Sequence, residues 1–116
     1  MNAANNHLIH GSGVAGAIVR KGGLDVQQES RYWVLERGQV KTGECAFTTA
    51  GDLPQRHVIH AVGPIWNDTE APEVHVDLLH QAVLNSLKMA DKLKCNSVSV
   101  PAISSGIYGF PKGLCA

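Results

Sequence analysis

The chain has 116 residues, enough for one domain with one modest core. Apolar residues make up 44% and charged residues 17%, the composition of a globular domain rather than a disordered segment. Ten basic residues balance ten acidic ones, so no net field draws nucleic acid or an anionic membrane surface, and any anion site must be local.

The three cysteines (Cys45, Cys95, Cys115) are odd in number and widely spaced, without a CxxC pair. That argues against a disulfide framework or a zinc cluster and fits a reducing, intracellular setting. No apolar run approaches the ~20 residues of a membrane span. The polar start, Met1 to His7, does not read as a secretory signal.

In chain order, the first feature is a glycine-rich loop, Asn2-Ala-Ala-Asn5 followed by His10-Gly-Ser-Gly13-Val-Ala-Gly16. A short helix is expected from Ala15 to Lys21, stopped by Gly22-Gly23. A second helix is expected from Asp25 to Arg37, with Asp25 as its N-cap and Gly38 just past its end. Glu44 to Thr49 alternates weakly as a strand, and His57 to Val62 is a stronger one, closed by Gly63-Pro64. After a polar loop, Leu79, Ala82, Val83, Leu87, Ala90 and Leu93 recur at helical spacing and predict a helix from Val76 to Leu93. Asn96 to Val100 reads as a strand feeding a second glycine-rich loop, Pro101-Ala-Ile-Ser104-Ser105-Gly106-Ile107-Tyr108-Gly109-Phe110-Pro111.

Helices alternating with short strands argue for an α/β layered fold, whose ligands bind beyond the carboxyl ends of the strands. Each glycine loop offers backbone N–H groups to an anion without obstruction from side chains. Two such loops facing each other would clamp a diphosphate, which points to a nucleotide-like ligand.

Plainer readings stand beside these. Gly11-x-Gly13-x-x-Gly16 matches the dinucleotide fingerprint in spacing, but almost no strand precedes it, and Glu36, at the right distance for the ribose carboxylate, lies in a helical pattern. The loop is then simply a glycine-rich start to a helix. Asn2 and Asn5 either hydrogen-bond a ribose and a water or cap turns. His57 and His60, three apart in a strand, point to opposite faces and cannot share a metal. His7 and His10 lack a completing ligand, so no metal site is expected, and His10 is either a polar neighbour of the loop or a solvated side chain. Ser104 and Ser105 have no nucleophile elbow around them and serve more simply as phosphate donors. Tyr108 and Phe110 are either sugar-packing or core aromatics.

At these residues the chain resembles a macrodomain, the ADP-ribose-binding module. The resemblance is carried by Asn2-Ala-Ala-Asn5, by His10-Gly-Ser-Gly-Val-Ala-Gly16-Ala-Ile18, by Val58-Ile-His-Ala-Val-Gly63-Pro64-x-Trp66, and by Pro101 to Pro111. Gln27-Gln-Glu-Ser30, Thr42-Gly-Glu44 and Ala50-Gly-Asp-Leu-Pro54 are most similar to the macrodomains of the multi-macrodomain ADP-ribosyltransferases, the macro-PARPs. The resemblance implies a three-layer α/β/α sandwich with a mixed sheet, incomplete at both termini, so that residues 1–116 hold the phosphate- and distal-ribose-binding half. The strands that carry the adenine-recognising aspartate and the final helix and strand would lie outside this stretch.

By the same resemblance, Asn2, Asn5, His10, Gly11, Ser12, Gly13, Val14 and Ala15 would form one wall of the ligand site. Pro101, Ser104, Ser105, Gly106, Ile107, Tyr108 and Gly109 would form the other. Gly11 to Ala15 would face the distal ribose and inner phosphate, and Tyr108 would lie near that ribose. Ser12 stands where the family usually has glycine. Asn5 would be catalytic only in a hydrolase, orienting the ribose and the attacking water. One hydrolytic branch has an aspartate at Ala15, and a methyl group cannot act as a base; viral members with the same Gly-Val-Ala-Gly pattern cleave nonetheless. The implied function is recognition of ADP-ribose and mono-ADP-ribosylated proteins in the nucleus or cytoplasm, with no cofactor. The alternatives are hydrolysis of mono-ADP-ribose from proteins, or an inactive piece of a larger transferase.

Overall fold

Strand β3 (His57–Val62) is the most apolar strand of the chain and takes the centre of the sheet, buried at every position but its first. The computed structural model describes residues 1–66, 71–101 and 103, and within them the sheet has three strands in the order β1-β3-β2. Strand β1 (Asn2–Ala4) runs parallel to β3, pairing Asn2 with His60 and Ala4 with Val62. Strand β2 (Cys45–Thr49) runs antiparallel to β3, pairing Cys45 with Ala61 and Thr49 with His57. The sheet is therefore mixed, as expected.

Because side chains alternate along a strand, the pairing sorts them into two faces. Ala4, Ala46 and Val62 pack with Leu8, Val40, Trp33 and Val34 on one side. Ala3 and Ala61 pack with Leu79, Val83, Trp66 and Ile103 on the other. Helices α1 (Gly13–Gly22) and α2 (Leu24–Arg37) cover the first face, and α3 (Pro72–Lys92) covers the second. This is the α/β/α layering of the sequence-based expectation.

Helix α1 stops where the glycine pair predicts. Gly22 is pressed against the following loop, since a Cβ there would lie 2.9 Å from the Ala50 carbonyl oxygen. The Gly22 carbonyl in turn accepts the Asp52 N–H at 2.8 Å, which satisfies one of the helix-end acceptors. Helix α2 buries Val26 and Ser30 along one stripe and leaves Leu24 and Leu35 in solvent. Its Glu29 carboxylate reaches the sheet edge, accepting both the backbone N–H and the hydroxyl of Thr49. A charged group thus blunts the outer end of β2.

Several expectations change. Helix α1 begins at Gly13, not Ala15, and α2 begins at Leu24 with Gly23, not Asp25, as its N-cap. Helix α3 begins at Pro72, not Val76: Pro72 and Glu73 carry no apolar periodicity, but proline is preset for the first helical position. Residues 96–100 form no strand in the described structure; that stretch is tied to the start of β1 by one bond, from the Met1 amino group to the Ser99 carbonyl at 2.8 Å. Asn2-Ala-Ala, read as part of a loop, is strand β1 itself.

Candidate functional site

The stretch between β1 and α1 is held by side-chain amides from both ends. The Leu8 N–H donates to the Asn5 carbonyl at 3.1 Å, and Leu8 adopts a φ of +53°, an uncommon conformation for a branched apolar residue. Its side chain is fully buried, which helps to keep it there. Asn5 then closes a ring on Ile9: its Oδ1 accepts the Ile9 N–H at 3.0 Å and its Nδ2 donates to the Ile9 carbonyl at 2.9 Å. From α2, Gln27 brackets the same residue, donating to the Leu8 carbonyl at 2.8 Å and accepting the His10 N–H at 2.9 Å.

Beyond His10 the chain opens to solvent. Gly11, Ser12, Gly13 and Val14 are exposed, and among the described residues a Cβ added at Gly11 or Gly13 would meet nothing within 4 Å. Gly13 has a φ of +61°, which favours glycine there. Gly16 allows close packing, since its Cβ would lie 3.2 Å from the Gly11 carbonyl. The glycine spacing therefore serves a turn and a close contact. Ser12 is the N-cap of α1 but makes no side-chain capping bond, and the first turn carries no acidic residue. The first N–H groups of α1 lack intrahelical acceptors and sit at the positive end of the helix dipole. An anion resting on this loop would meet those donors and no carboxylate from the first turn of α1.

Beneath the loop lies a buried polar cluster. Ser30 donates to the Val26 carbonyl at 2.8 Å, so at 2.9 Å from the His10 ring its oxygen accepts a proton from Nε2. Thr48 likewise donates to the Thr49 carbonyl and accepts from His60 Nε2 at 2.9 Å. Each ring then presents Nδ1 as an acceptor, and the Asn2 amide donates to both, at 3.4 Å to His10 and 3.0 Å to His60. The two imidazoles stack with their centroids 4.8 Å apart. Burial pulls His10 down to about 4; burial first, and then the neighbouring His10, pull His60 down to about 3. Both rings are neutral at physiological pH, in agreement with the hydrogen-bond directions.

Two assignments are corrected here. Asn2 has no exposed surface and its donors are spent on the two histidines, so its side chain does not face a ligand. His10 also turns inward, and neither a loop-facing nor a solvated imidazole describes it. Asn5, Gly11, Ser12, Gly13 and Val14 lie together along the open loop, while Ala15 packs inward at the first turn of α1. Pro101 is half-buried, its carbonyl accepting the Ile103 N–H at 2.9 Å. Ser104, Ser105, Gly106, Ile107, Tyr108, Gly109 and Phe110 lie outside the described residues. His57 contacts Phe47 at 6.2 Å between ring centroids, on the sheet face opposite to His60. Among the described residues no group of three His, Cys, Asp or Glu side chains gathers as a metal site, and no helix is long and apolar enough to cross a membrane.

Sequence reasoning gave no site role to Gln27, Ser30, Thr48 or His60, although Gln27 to Ser30 and His60 lie in segments that carry the resemblance. Gln27 and Ser30 are also three apart on α2, on the face that meets the loop.

The macro domain family matches residues 1–116. The chain belongs to that family. A Sulfolobus acidocaldarius relative is 52% identical over 116 residues, covering 100% of this chain and 61% of its own length. The O-acetyl-ADP-ribose deacetylase of Escherichia fergusonii is 46% identical, covering 100% of this macro domain and 64% of that enzyme. Mouse protein mono-ADP-ribosyltransferase PARP9 is 44% identical over 117 residues, covering 99% of this chain and 13% of that protein. An Oceanobacillus iheyensis macrodomain with MES bound superposes with a TM-score of 0.90 at 38% identity, over 98% of this chain and 61% of that one. A Trypanosoma brucei macrodomain in complex with ADP-ribose superposes with a TM-score of 0.85 at 32% identity, over 98% of this chain and 44% of that one. The macro domain described here thus spans less than two thirds of each of these proteins.

Proposed function

We propose that this chain binds ADP-ribose and, through it, mono-ADP-ribosylated proteins, as a reader of the modification within a longer macro-PARP-like protein. The observation that carries this reading is the uncapped start of α1 beneath an exposed glycine loop, with no described residue over Gly11 or Gly13. A diphosphate supplies the negative charge that the helix end favours. Gly11 to Ala15 take the distal ribose and inner phosphate, and Ser104 to Gly109 are the family's second set of diphosphate contacts. The similar Trypanosoma brucei macrodomain in complex with ADP-ribose supports this choice of ligand. Binding needs no cofactor, and the widely spaced cysteines suit the nucleus or cytoplasm.

The test is a thermal melt with and without ADP-ribose. A ligand at a hundredfold excess over its dissociation constant adds about 2.7 kcal/mol, so the transition should rise clearly. A cooperative transition that ignores millimolar ADP-ribose overturns the reading.

A second reading, hydrolysis, draws on the similarity to the deacetylase. Recognition is favoured because the first turn of α1 offers no carboxylate to activate water. If the chain cleaves, Asn5 holds the water, and Asn5→Ala should reduce cleavage of mono-ADP-ribosylated protein far more than it reduces ADP-ribose binding. Equal losses in the two assays would exclude the catalytic role.

A further inference from the structure

We infer that Gln27 is a positioning residue for the ADP-ribose loop: from α2, its amide fixes the backbone on both sides of Ile9 and so sets where Gly11 to Gly13 stand. The inference rests on the ADP-ribose reading above and names a determinant of its distal-ribose end.

Residues 8 to 10 are where the chain leaves the sheet and turns toward the ligand. Left alone, Leu8 at a φ of +53° would relax to a commoner conformation, and the loop would take several forms. Five bonds oppose this, two of them between the Asn5 amide and the Ile9 N–H and carbonyl. The Leu8 N–H is held by the Asn5 carbonyl, the Leu8 carbonyl by Gln27 Nε2, and the His10 N–H by Gln27 Oε1. Gln27 thus offers one donor and one acceptor to an irregular segment, as a neighbouring strand would to a regular one. Ser30, one turn further along the same helix, holds the His10 ring at 2.9 Å. Gln27 and Ser30 therefore grip one loop residue, by backbone and by side chain.

Ile9 itself is 57% exposed, and Val14 across the loop is 45% exposed. The loop surface is thus open while its framework is bonded, the arrangement that lowers the ordering cost of binding. The feature is specific to an amide. A carboxylate at position 27 accepts from His10 but cannot donate to Leu8, and an aliphatic side chain does neither.

The experiment uses Gln27→Leu and Gln27→Glu in the whole chain, with three readouts. The first is exchange of the His10 amide in ligand-free protein, and the second is affinity for ADP-ribose. The third is affinity for ADP, which lacks the distal ribose. With a melting transition near that of the wild type, Gln27→Leu should release the His10 amide and weaken ADP-ribose by about tenfold or more. ADP should weaken as well but by less, because the loop meets the inner phosphate in both ligands and the distal ribose only in ADP-ribose. Gln27→Glu should keep the His10 amide protected and lie between wild type and Leu in ADP-ribose affinity, and it carries the test if Gln27→Leu does not fold. Unchanged exchange in Gln27→Leu overturns the inference, as does equal weakening of ADP and ADP-ribose. For Gln27→Glu, an ADP-ribose affinity equal to wild type does the same. Should the wild type bind no ADP-ribose, the reading of function fails separately, and the His10 exchange alone decides whether Gln27 holds the loop.

Discussion

On the side of the sheet facing α1 and α2, the strands present Asn2, Thr48 and His60 to a bonded polar cluster with His10 and Ser30. On the side facing α3, the same strands present Ala3 and Ala61 to Leu79, Val83 and Ile103. The apolar side holds by area and shape, and it tolerates repacking if volume is kept. The polar side holds by directed bonds, each of which needs its partner at one distance and angle. The glycine loop rests on the second kind of support. That division separates general stability from the geometry of the site.

Disturbing the polar side should have the largest effect. His60→Leu strips a partner from both Asn2 and Thr48 inside the core, and should cost about 2–5 kcal/mol in denaturant unfolding. It should weaken ADP-ribose as well, because His10 loses its stacked neighbour. Retained affinity in a folded His60→Leu protein would mean the cluster does not support the loop.

Leu79→Ala, on the apolar side, should cost about 2–3 kcal/mol and leave ADP-ribose affinity unchanged after correction for the folded fraction. A change in affinity of the folded protein would erase the distinction between the faces.

Acid should also act on the polar side, and more gently. The folded core resists protonation of His10 and His60 down to about 4 and about 3, whereas an unfolded histidine takes up its proton near 6.5. The stability is therefore complete above pH 6.5 and is lost as pH falls below it. Between pH 7 and pH 5.5, His60 alone should account for about 1 kcal/mol, read as a lower urea midpoint. A midpoint that holds or rises over that range would show that the rings accept protons in the fold.

Much of this architecture was legible in the residues. Gly22-Gly23 and Gly38 mark the ends of α1 and α2, and the apolar His57–Val62 run marks β3 at its observed bounds. Local chemistry set these features, so local reading found them. The start of α3 escaped because Pro72 and Glu73 act through backbone geometry and charge, which a search for apolar spacing passes over. The inward turn of Asn2 and His10 escaped for another reason. Polar residues beside a glycine loop look available to a ligand until their partners are known. One partner of Asn2 is His60, 58 positions away, and nothing in either neighbourhood announces the other. The strand read at 96–100 failed similarly, since pairing depends on the neighbour as much as on the segment.

The register that sets Asn2 beside His60 has a consequence for synthesis of the chain. A ribosome delivers the glycine loop well before β3, so the cluster beneath it is incomplete until residue 60 has emerged. A parallel pairing over that separation forms only after the intervening chain has been made and folded back. A nascent chain stalled within α2 or β2 would carry every residue of this loop and none of the central strand on which its support is built.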